Sequence, residues 1–286
     1  MIVVTGATGQ LGSLVVGQLL QRVPAERVAL SVRDPEKAAG PAALGVRVRR
    51  GDYAEPETLT AAFEGAEQVL VVSSNSAGDG AVAQHAAALQ AARDAGARRV
   101  LYTSHQAAGP ASAFDPMRDH AATHALLADL GVPATALRNG FYAATVPVLL
   151  GAALQTGELA APADGPVSWT AHVDLAEATA VVLADEGRLD GVSPPLTAPV
   201  TLDLADVAAL LTELTGSPVR RVVQSDDEWL AGMVGRGVPA AQAQMLLGLF
   251  VAARRGEFDV TDPTLEELLG RPATPVRTVL AAAVAR

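Results

Sequence analysis

Thr5-Gly6-Ala7-Thr8-Gly9-Gln10-Leu11-Gly12 is the stretch from which the fold can be read. It follows a strand-like run, Ile2–Thr5, and opens an apolar helical pattern, Leu11–Leu20. Gly6, Gly9 and Gly12 are spaced as a phosphate-binding turn requires. The first permits a sharp bend, the second lets the backbone approach a pyrophosphate, and the third lets helix and strand pack closely. A helix starting at such a loop offers unpaired N–H groups and the positive end of its dipole to an anion.

Working outward, short β-branched runs alternate with Ala/Leu-rich stretches. Strands are expected at Arg27–Val32, Val46–Arg49, Gln68–Val72, Arg99–Thr103 and Thr135–Leu137. Helices are expected at Glu36–Leu44, Pro56–Phe63, Ala81–Ala95 and Asp119–Leu130, with Gly45, Gly65, Gly96 and Gly131 as stops. The strands are continuous apolar runs, as in a parallel sheet covered on both faces. The fold class is therefore α/β, a Rossmann-type doubly wound parallel sheet. Beyond about residue 140 the rhythm weakens. Asp203 and the Ser225-Asp226-Asp227-Glu228 capping box start further helices, and Ala240–Arg255 reads as another. Strands at Val167–Thr170 and Val219–Val223 are expected there. We divide the chain into a dinucleotide-binding domain, 1–140, rejoined by about 166–198, and a smaller, mainly helical substrate lobe, 141–286.

Composition narrows the function. The 286 residues are 50% apolar with a net charge of -10, which disfavours nucleic acid and anionic lipid as partners. There is no cysteine, which excludes disulfides and thiolate chemistry and fits a cytoplasmic setting. Met1–Thr5 has no basic leader, and no apolar run reaches the roughly 18 residues of a membrane span.

Arg33 follows the second strand, where an arginine can form a forked contact to a ribose 2′-phosphate or lie solvated. Asp52, after the third strand, can accept from an adenine amino group or cap its own turn. His120 and His124 share one helix face. A metal pair is discounted there, because a third ligand and a nearby Glu are missing. His124 reads as a surface or packing residue, and His85 as packed or capping. Arg138 reads as structural, paired with a core acid such as Asp174. Phe141, Tyr142 and Trp169 read as an apolar wall for a flat substrate. Met233, Met245 and Phe250 read as a lid or a dimer face.

Gly6–Gly12, Val32-Arg33-Asp34-Pro35, Gly51-Asp52-Tyr53, Tyr102-Thr103-Ser104 and Leu137-Arg138-Asn139-Gly140-Phe141-Tyr142 together resemble the NmrA-like atypical short-chain dehydrogenase/reductases. Among these the likeness is greatest to type 2 quinone oxidoreductases and triphenylmethane reductases. The resemblance implies NADPH as cofactor and hydride transfer to a quinone or similar conjugated small molecule. Gly6, Thr8, Gly9, Gln10, Leu11, Gly12, Arg33 and Asp52 would hold the nucleotide. Ser73, Ser74, Thr103, Ser104, Asn139, Gly140, Phe141 and Tyr142 would line its nicotinamide side. The usual catalytic Tyr and Lys positions, counted from Ser104, fall on Pro116 and His120. Ser104 and His120 remain as catalytic candidates, His120 as a proton relay or a ribose ligand. The resemblance also allows an NADP(H)-sensing regulator without turnover, or a pathway reductase or isomerase of narrow specificity. It carries a homodimer as a further expectation.

Overall fold

The computed structural model describes residues 1–285. Elements β1 (Ile2–Thr5), α1 (Gln10–Leu19), β2 (Val28–Val32), α2 (Ala39–Ala43), β3 (Arg47–Arg50), α3 (Glu57–Ala62), β4 (Gln68–Val71), α4 (Asp79–Asp94), β5 (Arg99–His105), α5 (Asp115–Ala128) and β6 (Ala134–Asn139) alternate along the chain. Then follow α6 (Thr145–Leu149), α7 (Ala153–Thr156), β7 (Glu158–Pro162), α8 (His172–Ala184), β8 (Gly191–Val192), α9 (Leu204–Thr215), β9 (Arg220–Gln224), α10 (Asp226–Gly235), α11 (Ala240–Arg254), α12 (Thr264–Leu269) and α13 (Val276–Val284).

The main sheet is parallel, ordered β3-β2-β1-β4-β5-β6-β8. Its order reverses between β1 and β4, and ligands of open α/β sheets bind at such switch points, beyond the carboxyl ends of the strands. Strands β1, β2, β4 and β5 are buried throughout, which explains their unbroken apolar runs. Each fully buried Val or Leu contributes about 1.5–3 kcal/mol of transfer free energy. One core, with Val4, Leu30 and Leu70, lies under α1 and α8, and a second, with Val3, Phe63 and Leu89, lies on the opposite face. A third fills the later lobe around Phe114, Phe141, Trp169, Phe250 and Phe258.

Two departures from the expected strands have physical causes. Val167–Thr170 is not a strand. Val167 bridges Leu202 and Thr170 bridges Tyr142, so the segment faces two different partners and builds no continuous ladder. The expected strand at Val219–Val223 does form, as β9, but only by pairing in parallel with the unforeseen β7. The very short β8 is held beside β6 by the buried Arg99, which donates to Val182 O at 2.9 Å and Leu189 O at 2.7 Å. Phe250 is buried in the lobe's own core and so offers no surface for a lid or dimer face, whereas Met245 packs against that core and stays half-buried.

Asp174 pairs with Arg271 at 2.8 Å, not with Arg138. It is fully buried and also accepts from Thr274 N at 2.6 Å and Thr274 Oγ1 at 3.0 Å. Glu177, one turn on, joins Arg271 at 2.6 Å and Arg22 at 3.1 Å. These two carboxylates tie α8, α1 and the C-terminal segment together. Asp174→Ala leaves the Thr274 donors without their partner and is expected to lower stability by about 2–3 kcal/mol. Urea unfolding checks this, and an unchanged midpoint would contradict the assigned role.

Candidate active site

At the carboxyl end of β1, Gly6 adopts a φ of +57° and its carbonyl accepts from Gly9 N at 2.9 Å. A Cβ on Gly12 would lie 2.2 Å from Gly6 O, so only glycine lets α1 approach the turn this closely. Thr8, Gly9 and Gln10 are exposed, whereas Leu11 and Gly12 are buried. The α1 N-terminus has no side-chain cap and no acidic residue in its first turn. Its donors are thus left for an anion, as the pyrophosphate of a dinucleotide requires.

Arg33 lies across this opening at the end of β2. It is exposed, and among the described residues it makes no ion pair or hydrogen bond. Asp34 turns away and accepts from Glu36 N at 3.2 Å. Asp52 accepts from Ala54 N at 3.0 Å, so it caps its own turn. Tyr53 donates to Val72 O at 2.9 Å and fixes the spacing between the loops after β3 and β4.

Deeper in the cleft, Thr103 Oγ1 accepts from Ser73 N at 2.8 Å and donates to Ser73 Oγ at 3.2 Å. Ser74 Oγ bonds to Gln84, and Ser74 N donates to His85 Nε2 at 2.9 Å. Asn139 is fully buried at the end of β6, and neither atom of its side-chain amide has a partner. Gly140 is glycine for a packing reason, because a Cβ there would meet Thr170 Oγ1 at 2.1 Å.

The apolar wall divides. Phe141 contacts Trp169 edge-on at 5.3 Å, beside Phe114 and Phe258. Tyr142 instead lies on His172 at 4.2 Å and packs against the sheet core. Successive residues leave a strand end in opposite directions, so Tyr142 does not belong to the wall. Arg138 donates to Gln106 O, not to a core carboxylate.

Four of the chain's five histidines meet at the end of β5. His85 Nδ1 lies 2.9 Å from Thr123 Oγ1, and Tyr102 OH lies 2.7 Å from His120 Nδ1. Ser104 Oγ lies 2.6 Å from His124 Nε2, so the half-buried His124 packs against the end of β5. His105, absent from the sequence-derived set, stacks with His120 at 6.2 Å and is edge-on to Phe141 at 5.2 Å. Its signal was a polar residue at the carboxyl end of a central strand.

Burial holds these rings neutral. It pushes His85 down to about 4, and His105, with the Arg138 cation nearby, down to about 3. Burial and the neighbouring imidazoles also lower His120 well below the ordinary histidine value, and burial with Arg138 lowers His124. Burial thus favours the neutral form of His120 at neutral pH, and that form can still donate an N–H. Unfolded histidine titrates near 6.5. The unfolded chain thus binds protons first as pH falls, and stability drops from about pH 6.5 towards 4. Urea unfolding over this range is expected to show that slope, and His85→Gln is expected to flatten it. Equal slopes in the two proteins would contradict the assignment.

A family model for NAD(P)H-binding proteins matches residues 6–144. Quinone oxidoreductase 2 of Escherichia coli K12 is 36% identical over 96% of this chain and 95% of its own. The crystal structure of the Escherichia coli NADPH-dependent quinone oxidoreductase in complex with NADPH superposes with a TM-score of 0.92, at 34% identity over 99% of this chain and 100% of that one. Triphenylmethane reductase of Citrobacter sp. with NADP(H) gives 0.89 at 33% identity, covering 99% and 100% of the two chains. The chain belongs to the NmrA-like atypical short-chain dehydrogenase/reductases. Within them it groups with the NAD(P)H-dependent quinone oxidoreductase type.

Proposed function

We propose that this protein is an NADPH-dependent oxidoreductase that reduces a quinone or a similar conjugated small molecule. The observation that carries the reading is the uncapped α1 N-terminus at the end of β1 with an exposed, unpaired Arg33 at the end of the neighbouring β2. The first suits a pyrophosphate and the second a 2′-phosphate, the group that distinguishes NADPH from NADH. Gly6, Thr8, Gly9, Gln10, Leu11 and Gly12 form the cradle. Ser73, Ser74, Thr103 and the unsatisfied Asn139 amide line the nicotinamide side, with Phe141 and Trp169 as the apolar wall. When bound, NADPH supplies two electrons as a hydride.

The absence of the Tyr–Lys pair fits such acceptors. Pro116 and His120 occupy those positions, and a buried, neutral His120 is a weak acid. A reduced quinone is a stabilised phenolate-type anion that water can protonate, so no strong protein acid is needed. Ser104, paired to His124, adds a further hydroxyl at the end of β5. Among the described residues no helix is long and apolar enough to cross a membrane, and the reading has the enzyme in the cytoplasm, working on a small-molecule acceptor.

The test is NADPH oxidation against quinones and triarylmethane dyes, with NADH in parallel. Arg33→Ala is expected to raise the KM for NADPH about 10- to 100-fold, the loss of a charge-assisted contact worth roughly 1.5–3 kcal/mol. The KM for NADH should hardly move. Equal losses for both cofactors would sink the 2′-phosphate assignment. Tight NADPH binding without turnover on any acceptor would move the reading to a dinucleotide sensor.

A further inference from the structure

We propose that His105 and His120 act together as a neutral two-donor site for the acceptor's oxygen, which makes oxygen-terminated conjugated acceptors, quinones and enones, the substrate class. The inference rests on the reductase reading and adds a catalytic residue, His105, and a selectivity to it.

The protons can be assigned from the hydrogen-bond network. His105 Nδ1 accepts from Ala107 N at 3.1 Å, and a backbone amide can only donate. The neutral His105 ring must then carry its proton on Nε2. For His120 the chain of reasoning is longer. Ser74 N donates to His85 Nε2, so His85 carries its proton on Nδ1. That proton points to Thr123 Oγ1, whose own hydroxyl donates to Asp119 O at 2.8 Å. Tyr102 OH, 3.4 Å from His85 Nδ1, can only accept there, so its one proton goes to His120 Nδ1. With the Tyr102 proton placed on this shortest of its contacts, His120 is assigned the Nε2–H tautomer.

Two Nε2–H donors therefore stand side by side. The two rings are 27° from parallel with centroids 6.2 Å apart, near enough to flank one small group. Among the described residues neither Nε2 has a protein partner, and neither is among the sealed, unsatisfied polar atoms. Both therefore keep some exposure to solvent. Phe141 and Phe258 pack edge-on against His105 at 5.2 and 5.8 Å, so the donors work beside apolar walls, where a hydrogen bond to developing charge is strongest. Arg138 adds a cation nearby, and burial keeps both imidazoles uncharged at neutral pH. The acceptor gains a hydride with its two electrons at an electrophilic carbon as NADPH becomes NADP⁺; its conjugated oxygen becomes an oxyanion facing the two N–H groups, and a proton from water completes the product.

His105→Phe keeps a flat ring and removes one donor. With a naphthoquinone, kcat is expected to fall about 100-fold, as for loss of one oxyanion-hole donor. With crystal violet, a cationic triarylmethane that has no oxygen, kcat is expected to stay near wild type. His105→Gln, which restores an N–H at the same reach, should recover most of the quinone activity. Equal losses on both acceptors, or no loss on the quinone, overturn the proposal. A second readout does not depend on turnover. 4-Nitrophenolate, a stable oxyanion, is titrated into the NADP⁺-saturated protein and its visible band followed. Wild type and His105→Gln should bind it about tenfold or more tightly than His105→Phe; identical binding by all three overturns the proposal. A wild type that binds the anion yet reduces no acceptor would end the reductase reading and leave the anion site standing.

Discussion

The approach of Gly12 to the Gly6 carbonyl is the contact on which the rest of the molecule depends. With no Cβ between them, α1 begins directly over the end of β1 and its first N–H groups point across the sheet's switch point. A methyl group at Gly12 would push the helix outward and separate it from α8, with which it shares the core of Leu11, Val15, Leu175 and Ala178. The same close contact therefore shapes the anion cradle and seats the helix that carries Asp174 and Glu177. Phosphate binding and packing are here one geometric requirement met twice.

A second requirement concerns charge. The end of β5 is crowded with imidazoles, yet the surroundings supply almost no carboxylate to compensate a proton. Phenyl rings, Tyr102 and a neighbouring guanidinium make charging unfavourable from every side. The imidazoles are polar in their hydrogen bonds but uncharged, with Arg138 as the neighbouring cation. This suits a reaction in which negative charge arrives with the transferred electrons and must find waiting dipoles rather than a competing cation–anion pair.

Much of this architecture was legible in the chain. The glycine spacing, the unbroken apolar strands and the glycine stops led to the sheet and its order of elements, because each is a local demand of backbone geometry. Arg33 was legible for the same reason: it follows a strand whose end is fixed by the fold. What escaped depended on distant partners. Strand β7 exists because β9 lies beside it, and β8 because Arg99 reaches round to hold its approach. Val167–Thr170 looks like a strand but faces two partners at once. Arg138 and Asp174 suit each other chemically, yet Arg271 reaches the acid from the far end of the chain. The histidine cluster was visible only in part, since the spacing of His120 and His124 is local whereas their meeting with His85 and His105 is not.

The opposite orientations of Phe141 and Tyr142 bear on how the cleft can open. Phe141 is rooted in the lobe and Tyr142 in the sheet, so the junction between them is riveted on both sides. Swinging the whole lobe about this junction would pull one ring out of its core at a cost of several kcal/mol. Substrate entry is therefore better served by small local displacements at the periphery, around α10, none of whose residues is buried. The Phe141–Tyr142 junction thus ties the lobe to the sheet from both sides, which sets the spacing between them before any ligand arrives.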